Sequence, residues 1–156
     1  MMKVIFLDID GVLNHYYWYR KRKDKSNLSY PLSEFDPKSV SYLNNITDTT
    51  GAKIIVSSSW RFDNDIINIL RAAGVTGEII GCTPDLSNTY GSLCRGKEID
   101  AVLNEHTDIE RYIIIDDDTD MEEHQLPYFI KTNANGSGLN KTVMNKSIKI
   151  LMVNNE

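Results

Sequence analysis

Three short apolar runs stand out along the chain, and polar residues cut off each of them. Residues 3–7 stop at Asp8, Asp10 and Gly11. Residues 53–56 stop at Ser57, Ser58 and Ser59, and residues 112–115 stop at Asp116, Asp117 and Asp118. Runs of this length, bounded by turn-forming residues, predict strands buried on both faces of a parallel sheet. Residues 78–81 and 128–132 are weaker strand candidates. Between the runs the apolar spacing becomes helical. Asp36-Pro37 reads as a cap and first helical position, with Val40, Leu43 and Ile46 following and Gly51 as the stop. Ile66, Ile69, Leu70 and Ala73 make a second stripe that ends at Gly74, and Ile99, Val102 and Leu103 make a third. Residues 139–153 predict a last helix, although 148–153 suit a strand as well. The longest gap without a helical pattern is 14–35.

Alternating strands and helices predict a Rossmann-like three-layer α/β sandwich with a mostly parallel central sheet. At 156 residues the chain suits one domain, 1–156, with 14–35 as a flap-like insertion. Ligands of such sheets bind at the carboxyl ends of the strands. There the sequence sets Asp8 with Asp10, Ser57 to Ser59, and Asp116 with Asp117.

Carboxylates crowded in this way must hold a cation or take up protons. Oxygen ligands with no His or Cys nearby select a hard ion, and Mg²⁺ is the expected one. A carboxylate also attacks phosphorus, and Asp8, the first acid after its strand, is the candidate nucleophile. Asp10 points the same way two residues later and suits general acid, then general base. One Asp pair after a strand is by itself an ordinary turn signal. The ordered combination of three strand ends is far more specific.

Lys and Arg number 17 against 22 Asp and Glu, a formal net charge of -5. This excludes a globally basic nucleic-acid coat protein but not a local basic patch. Two cysteines, Cys82 and Cys94, are too few to staple a small secreted scaffold, and they lack the companions of a metal site. Reduced thiols and a cytoplasmic setting are expected. No apolar run reaches the ~20 residues of a membrane span, and the first residues are too short a run for a signal peptide.

Together these words resemble the haloacid dehalogenase (HAD) superfamily of Mg²⁺-dependent phosphohydrolases. Its first motif matches Asp8-Ile9-Asp10-Gly11. The resemblance implies Asp8 as nucleophile, Asp10 as acid/base, and the Asp8 carboxylate with the Asp10 main-chain carbonyl on the metal. Its second motif falls in Ser57-Ser58-Ser59-Trp60-Arg61. Ser58 is favoured as phosphate ligand, with Ser59 beside it and a one-residue slip open. Its third motif, a cation opening a helix, matches Arg95-Gly96-Lys97. Arg95 fits by the glycine that follows and Lys97 by residue type. Its fourth is Asp116-Asp117, with Asp117 the better direct ligand and Asp118 and Asp120 ordinary loop acids. The wider pattern is similar to the small HAD domains of Swiss-army-knife RNA-repair proteins, with a minimal cap or none.

In this superfamily, insertions after the first strand help to choose substrates. Here residues 15–25 hold four aromatics and five basic residues, among them Tyr17, Trp18 and Arg20. They suit a landing strip for a nucleotide or nucleic-acid end, or equally a solvated flap whose aromatics pack on the domain. The resulting expectation is a phosphomonoesterase acting on a phosphorylated small molecule or a nucleic-acid end. Rivals are a receiver-like phospho-switch and a non-catalytic nucleic-acid-binding module. Tyr90, Arg61 and His124 could also reach the site edge, but each is more often a salt bridge, a cap or a packed ring, and they stand outside the main assignment.

Overall fold

The computed structural model describes residues 1–25 and 28–153, with the side chains of 23–25 also outside the description. In chain order the elements are β1 (Met2–Leu7), α1 (Tyr16–Lys25), α2 (Pro37–Thr50), β2 (Lys53–Val56), α3 (Ile66–Ala72), β3 (Ile79–Cys82), α4 (Ser87–Tyr90), α5 (Arg95–Glu105), β4 (Ile109–Asp116), β5 (Phe129–Lys131) and α6 (Lys141–Met152). Short 3₁₀ turns lie at Leu32–Glu34, Ser59–Phe62 and Glu123–Tyr128. All strand pairs are parallel, in the order β3-β2-β1-β4-β5.

Each expected strand is present. The three apolar runs are buried because the sheet is covered on both sides. On one face Ile5, Leu7, Ile54, Val56, Ile113 and Ile115 pack with Leu43, Leu70 and Leu151 from α2, α3 and α6. On the other, Val4, Phe6, Ile55 and Ile114 pack with Ile99 and Val102 of α5. β4 starts earlier than the apolar run suggests. Its first residues include Glu110, which is exposed, and Arg111, which is only partly covered.

α2 starts and stops as the sequence predicts. The Asp36 side chain accepts from Lys38 N, Pro37 is the first helical residue, and Gly51 closes the helix at φ 71. The last segment is helical to Met152, so the strand alternative for 148–153 is not taken. Asn140 caps this helix by accepting from Val143 N. No helix among the described residues is long and apolar enough to cross a membrane.

The expectation of a helix-free gap at 14–35 is corrected by α1. Its sequence is almost wholly Tyr, Arg and Lys, so it has no apolar stripe, and tertiary contacts hold it instead. His15 Nε2 lies 2.7 Å from Asp36 Oδ2. The Trp18 indole N–H and Arg22 Nη1 both donate to Ser33 O at 3.1 Å. Burial alone would raise the Asp36 carboxyl, but the His15 and Lys38 hydrogen bonds hold it below the usual range.

The chain winds from β1 to β2 on one side of the sheet and from β4 to β5 on the other. The two directions part between β1 and β4. That crevice at the strand carboxyl ends is where an open α/β sheet binds ligands.

Candidate active site

Strand register brings the strand-end residues to one level. Leu7 pairs with Val56 on one side and with Ile115 on the other. The next residue of each strand is therefore Asp8, Ser57 and Asp116. Main-chain bonds fix all three, from Asp8 N to Ile115 O at 3.0 Å, Ser57 N to Leu7 O at 2.8 Å and Thr132 N to Asp116 O at 2.9 Å.

Asp8, Asp116 and Asp117 each offer a carboxylate oxygen, and these oxygens lie within 4.8 Å of one another. Residues 8 and 117 thus meet although the whole first half of the fold separates them. Gly11 makes the close approach possible. It turns the chain at φ 79, and a Cβ there would stand 2.6 Å from the Asp117 carboxyl carbon. Asp8 Oδ1 accepts from Ile9 N at 2.8 Å, and Asp116 Oδ1 from Asp118 N at 2.9 Å.

Asp8 and Asp116 are 7% and 2% exposed. Burial, then the charge of Asp116, pushes the Asp8 carboxyl far above the ordinary carboxylate range. Burial likewise raises Asp116, against the opposing pull of the Asp118 N–H and Arg95. Without a cation the group therefore keeps protons. A donor set of three hard, clustered oxygens is what a small divalent cation with oxygen preference requires.

The Asp10 carboxylate stands outside this group and is exposed. Its Oδ1 accepts from Asn14 Nδ2 at 2.8 Å and from the Trp60 indole N–H at 3.0 Å. Tyr19 is near as well. Burial, then Glu34, holds its hydroxyl far above the usual range, and the Asp10 charge adds to this. Asn14 and Trp60 carry no functional signal of their own in the sequence, and Tyr19 stands there only as one of the four aromatics of 15–25.

Among the serines, Ser58 is fully buried and its Oγ accepts from Trp60 N, capping the following turn. Ser57 Oγ is buried with no partner among the described residues. Ser59 is exposed and lines a cleft of about 180 Å³ with Arg61, Arg95 and Glu98. The two candidate cations diverge. Arg95 Nε lies 3.6 Å from Asp116 Oδ2, whereas Lys97 pairs with Glu122 at 3.3 Å and sits over the Tyr90 ring. Asp120 accepts from Arg95 N and so anchors the start of α5.

The aromatic and basic stretch does not join the carboxylates as a unit. Trp18 turns inward to Ser33. Arg20 is exposed over the Tyr16 ring at 5.7 Å. Tyr17 is exposed and lines a separate cleft of about 380 Å³ with Lys21, Lys38, Tyr42 and Lys141. The side chains at 23–25, also part of that stretch, lie outside the described residues. Of the edge candidates, His124 pairs with Asp100 at 2.8 Å and Arg61 with Glu98 at 2.8 Å. A separate cavity of about 630 Å³ is lined by Leu103, Ile109, Tyr112 and Tyr128, by the amino ends of β4 and β5. It lacks the acid cluster, so the chemistry and not the volume identifies the site.

A family model described as "HAD domain in Swiss Army Knife RNA repair proteins" matches residues 4–143. Neither the curated proteins nor the solved structures gave a match.

Proposed function

The chain belongs to the family of HAD domains in Swiss Army Knife RNA repair proteins, and from that membership and the carboxylate geometry we propose a Mg²⁺-dependent phosphomonoesterase acting through an aspartyl-phosphate. The observation that carries the reading is the meeting of Asp8, Asp116 and Asp117 within 4.8 Å at the carboxyl ends of β1 and β4. Their carboxylates and the Asp10 main-chain oxygen would hold Mg²⁺, which supplies charge neutralisation and orientation of the phosphoryl group.

Asp8 keeps one oxygen on the Ile9 N–H and attacks phosphorus with the other. Asp10, steadied by Trp60 and Asn14, gives a proton to the leaving oxygen. It then takes one from water, which attacks phosphorus and breaks the bond to Asp8, releasing inorganic phosphate. Arg95 binds equatorial oxygens of the phosphoryl group. Ser57 takes the serine role in place of Ser58, because its hydroxyl is unspent and stands level with Asp8. The proposed substrate is a nucleotide or a nucleic-acid terminal phosphate, as the family's association with RNA repair suggests.

The test is a panel of phosphate esters, including 3′- and 5′-phosphorylated oligonucleotides, assayed with and without Mg²⁺. Hydrolysis lost with Asp8→Asn, and an acid-trapped phosphoryl group on Asp8, are expected. Full activity in Asp8→Asn ends the covalent scheme. A lasting phosphoprotein formed from acetyl phosphate, without turnover, favours a phospho-switch instead.

A further inference from the structure

Glu98 lies in the first turn of α5, is 3% exposed, and has no part in the steps above. Its Oε1 accepts from Arg61 Nη2 at 2.8 Å, from the Leu86 N–H at 3.1 Å and from the Cys94 thiol at 3.6 Å. Its Oε2 accepts from Arg95 Nη1 at 3.3 Å. A carboxylate this deeply buried is tolerated only when several donors meet it. Here two guanidinium groups share it. Arg61 also donates to Ser58 O at 3.1 Å, so the same carboxylate ties the serine turn to the start of α5.

The tether matters most for Arg95. Its Nη1 edge is committed to Glu98, and its Nε lies 3.6 Å from Asp116. A planar guanidinium prefers two-pronged contact with carboxylates. Released from Glu98, it would find that contact among Asp8, Asp116 and Asp117, and its charge would stand where a cation belongs. We propose that Glu98 is a positioning residue that holds Arg95 at the rim of the three-carboxylate group, leaving the group open to a divalent cation and the guanidinium free for a phosphate oxygen. This rests on the reading of that group as a cation site.

The experiment is a double-mutant cycle read by calorimetric titration of Mg²⁺ without substrate, on the wild type, Glu98→Gln, Arg95→Ala and the double variant. Glu98→Gln is expected to weaken Mg²⁺ binding about tenfold. Arg95→Ala in the same chain should erase most of that loss, because no guanidinium remains to enter the group. A role limited to holding the fold together would give the same loss in both backgrounds. Binding by Glu98→Gln within about twofold of wild type, or an undiminished loss in the double variant, overturns the proposal. If circular dichroism shows Glu98→Gln unfolded, Glu98→Asp enters the same cycle, since it keeps the charge but draws it back by one methylene. Its loss must likewise vanish with Arg95→Ala, and an equal loss in both backgrounds overturns the proposal. Wild type that binds no Mg²⁺ overturns the cation reading and this inference together, whereas normal wild-type binding with an unaffected Glu98→Gln overturns this inference alone.

Discussion

Removing the nucleophile's charge should make the metal-free protein more stable. At 4.8 Å, the outer limit of the Asp8, Asp116 and Asp117 group, two ionised carboxylates repel by about 3.5 kcal/mol at an effective dielectric near 20. Proton uptake at Asp8 and Asp116 relieves part of this near neutrality. Asp8→Asn keeps an oxygen to accept from Ile9 N and abolishes what remains of Asp8's own repulsion, leaving only that between Asp116 and Asp117. The expected gain is about 1–3 kcal/mol, or about 3–10 °C in Tm for a chain of this size, read by thermal melts in EDTA at pH 8.

The sign of the pH effect follows from the folded pKa values, which lie above the ordinary carboxylate value for both acids. The folded state holds protons that the unfolded state releases. Stability from these groups is therefore complete below pH ~4 and is lost as pH rises through the elevated folded values. The advantage of Asp8→Asn should shrink as the buffer is acidified, and added Mg²⁺ should stabilise wild type more than the variant. A lower Tm for Asp8→Asn in EDTA, or a gap that does not narrow toward acid pH, refutes the repulsion argument.

Ser57→Ala removes a buried hydroxyl without a partner, so Tm should hold or rise by about 1–3 °C while phosphatase turnover falls. A clear loss of Tm would mean the hydroxyl has a structural partner. Gly11→Ala forces a side chain into positive φ and against Asp117, and calorimetry should show Mg²⁺ affinity down by about tenfold or more together with a lower Tm. Trp60→Phe keeps the ring contact with Phe35, at 5.4 Å between centroids, but deletes the hydrogen bond to Asp10. Its kcat should drop about threefold to thirtyfold with unchanged Mg²⁺ affinity, and an unchanged kcat removes Trp60 from the site. Arg95→Ala should cost about a hundredfold in kcat/KM and Lys97→Ala less than about twofold, a ranking that steady-state kinetics would reverse if Lys97 were the phosphate's partner.

The strands were legible because sheet residues covered on both sides must be apolar, and their abrupt polar ends showed where the cover stops. The same logic located Asp8, Asp116 and Asp117 before any geometry. α1 was not legible, since a helix held by Trp18, Arg22 and His15 on distant partners has no stripe to display. Residues two apart on a helix face in different directions. The sequence could therefore not tell which of Arg95 and Lys97 faces the acid group, which the contacts of Arg95 with Asp116 and of Lys97 with Glu122 show. Pairings such as Arg61 with Glu98 join residues far apart in the chain, and neither residue type announces its partner. Which serine stands level with Asp8 depends on a one-residue register that only the pairing of β1 with β2 reveals.

Because the clustered carboxylates hang from the ends of laddered strands, their mutual placement is stored in interstrand alignment and not in the connecting segments. A single-residue deletion inside β1 would swing Asp8 to the opposite side of the sheet and abolish the centre at once. The stretch from Tyr16 to Glu34 is a different matter. The Gly11–Asn14 turn is closed by its own bonds, so the placement of the acid group does not rest on that stretch.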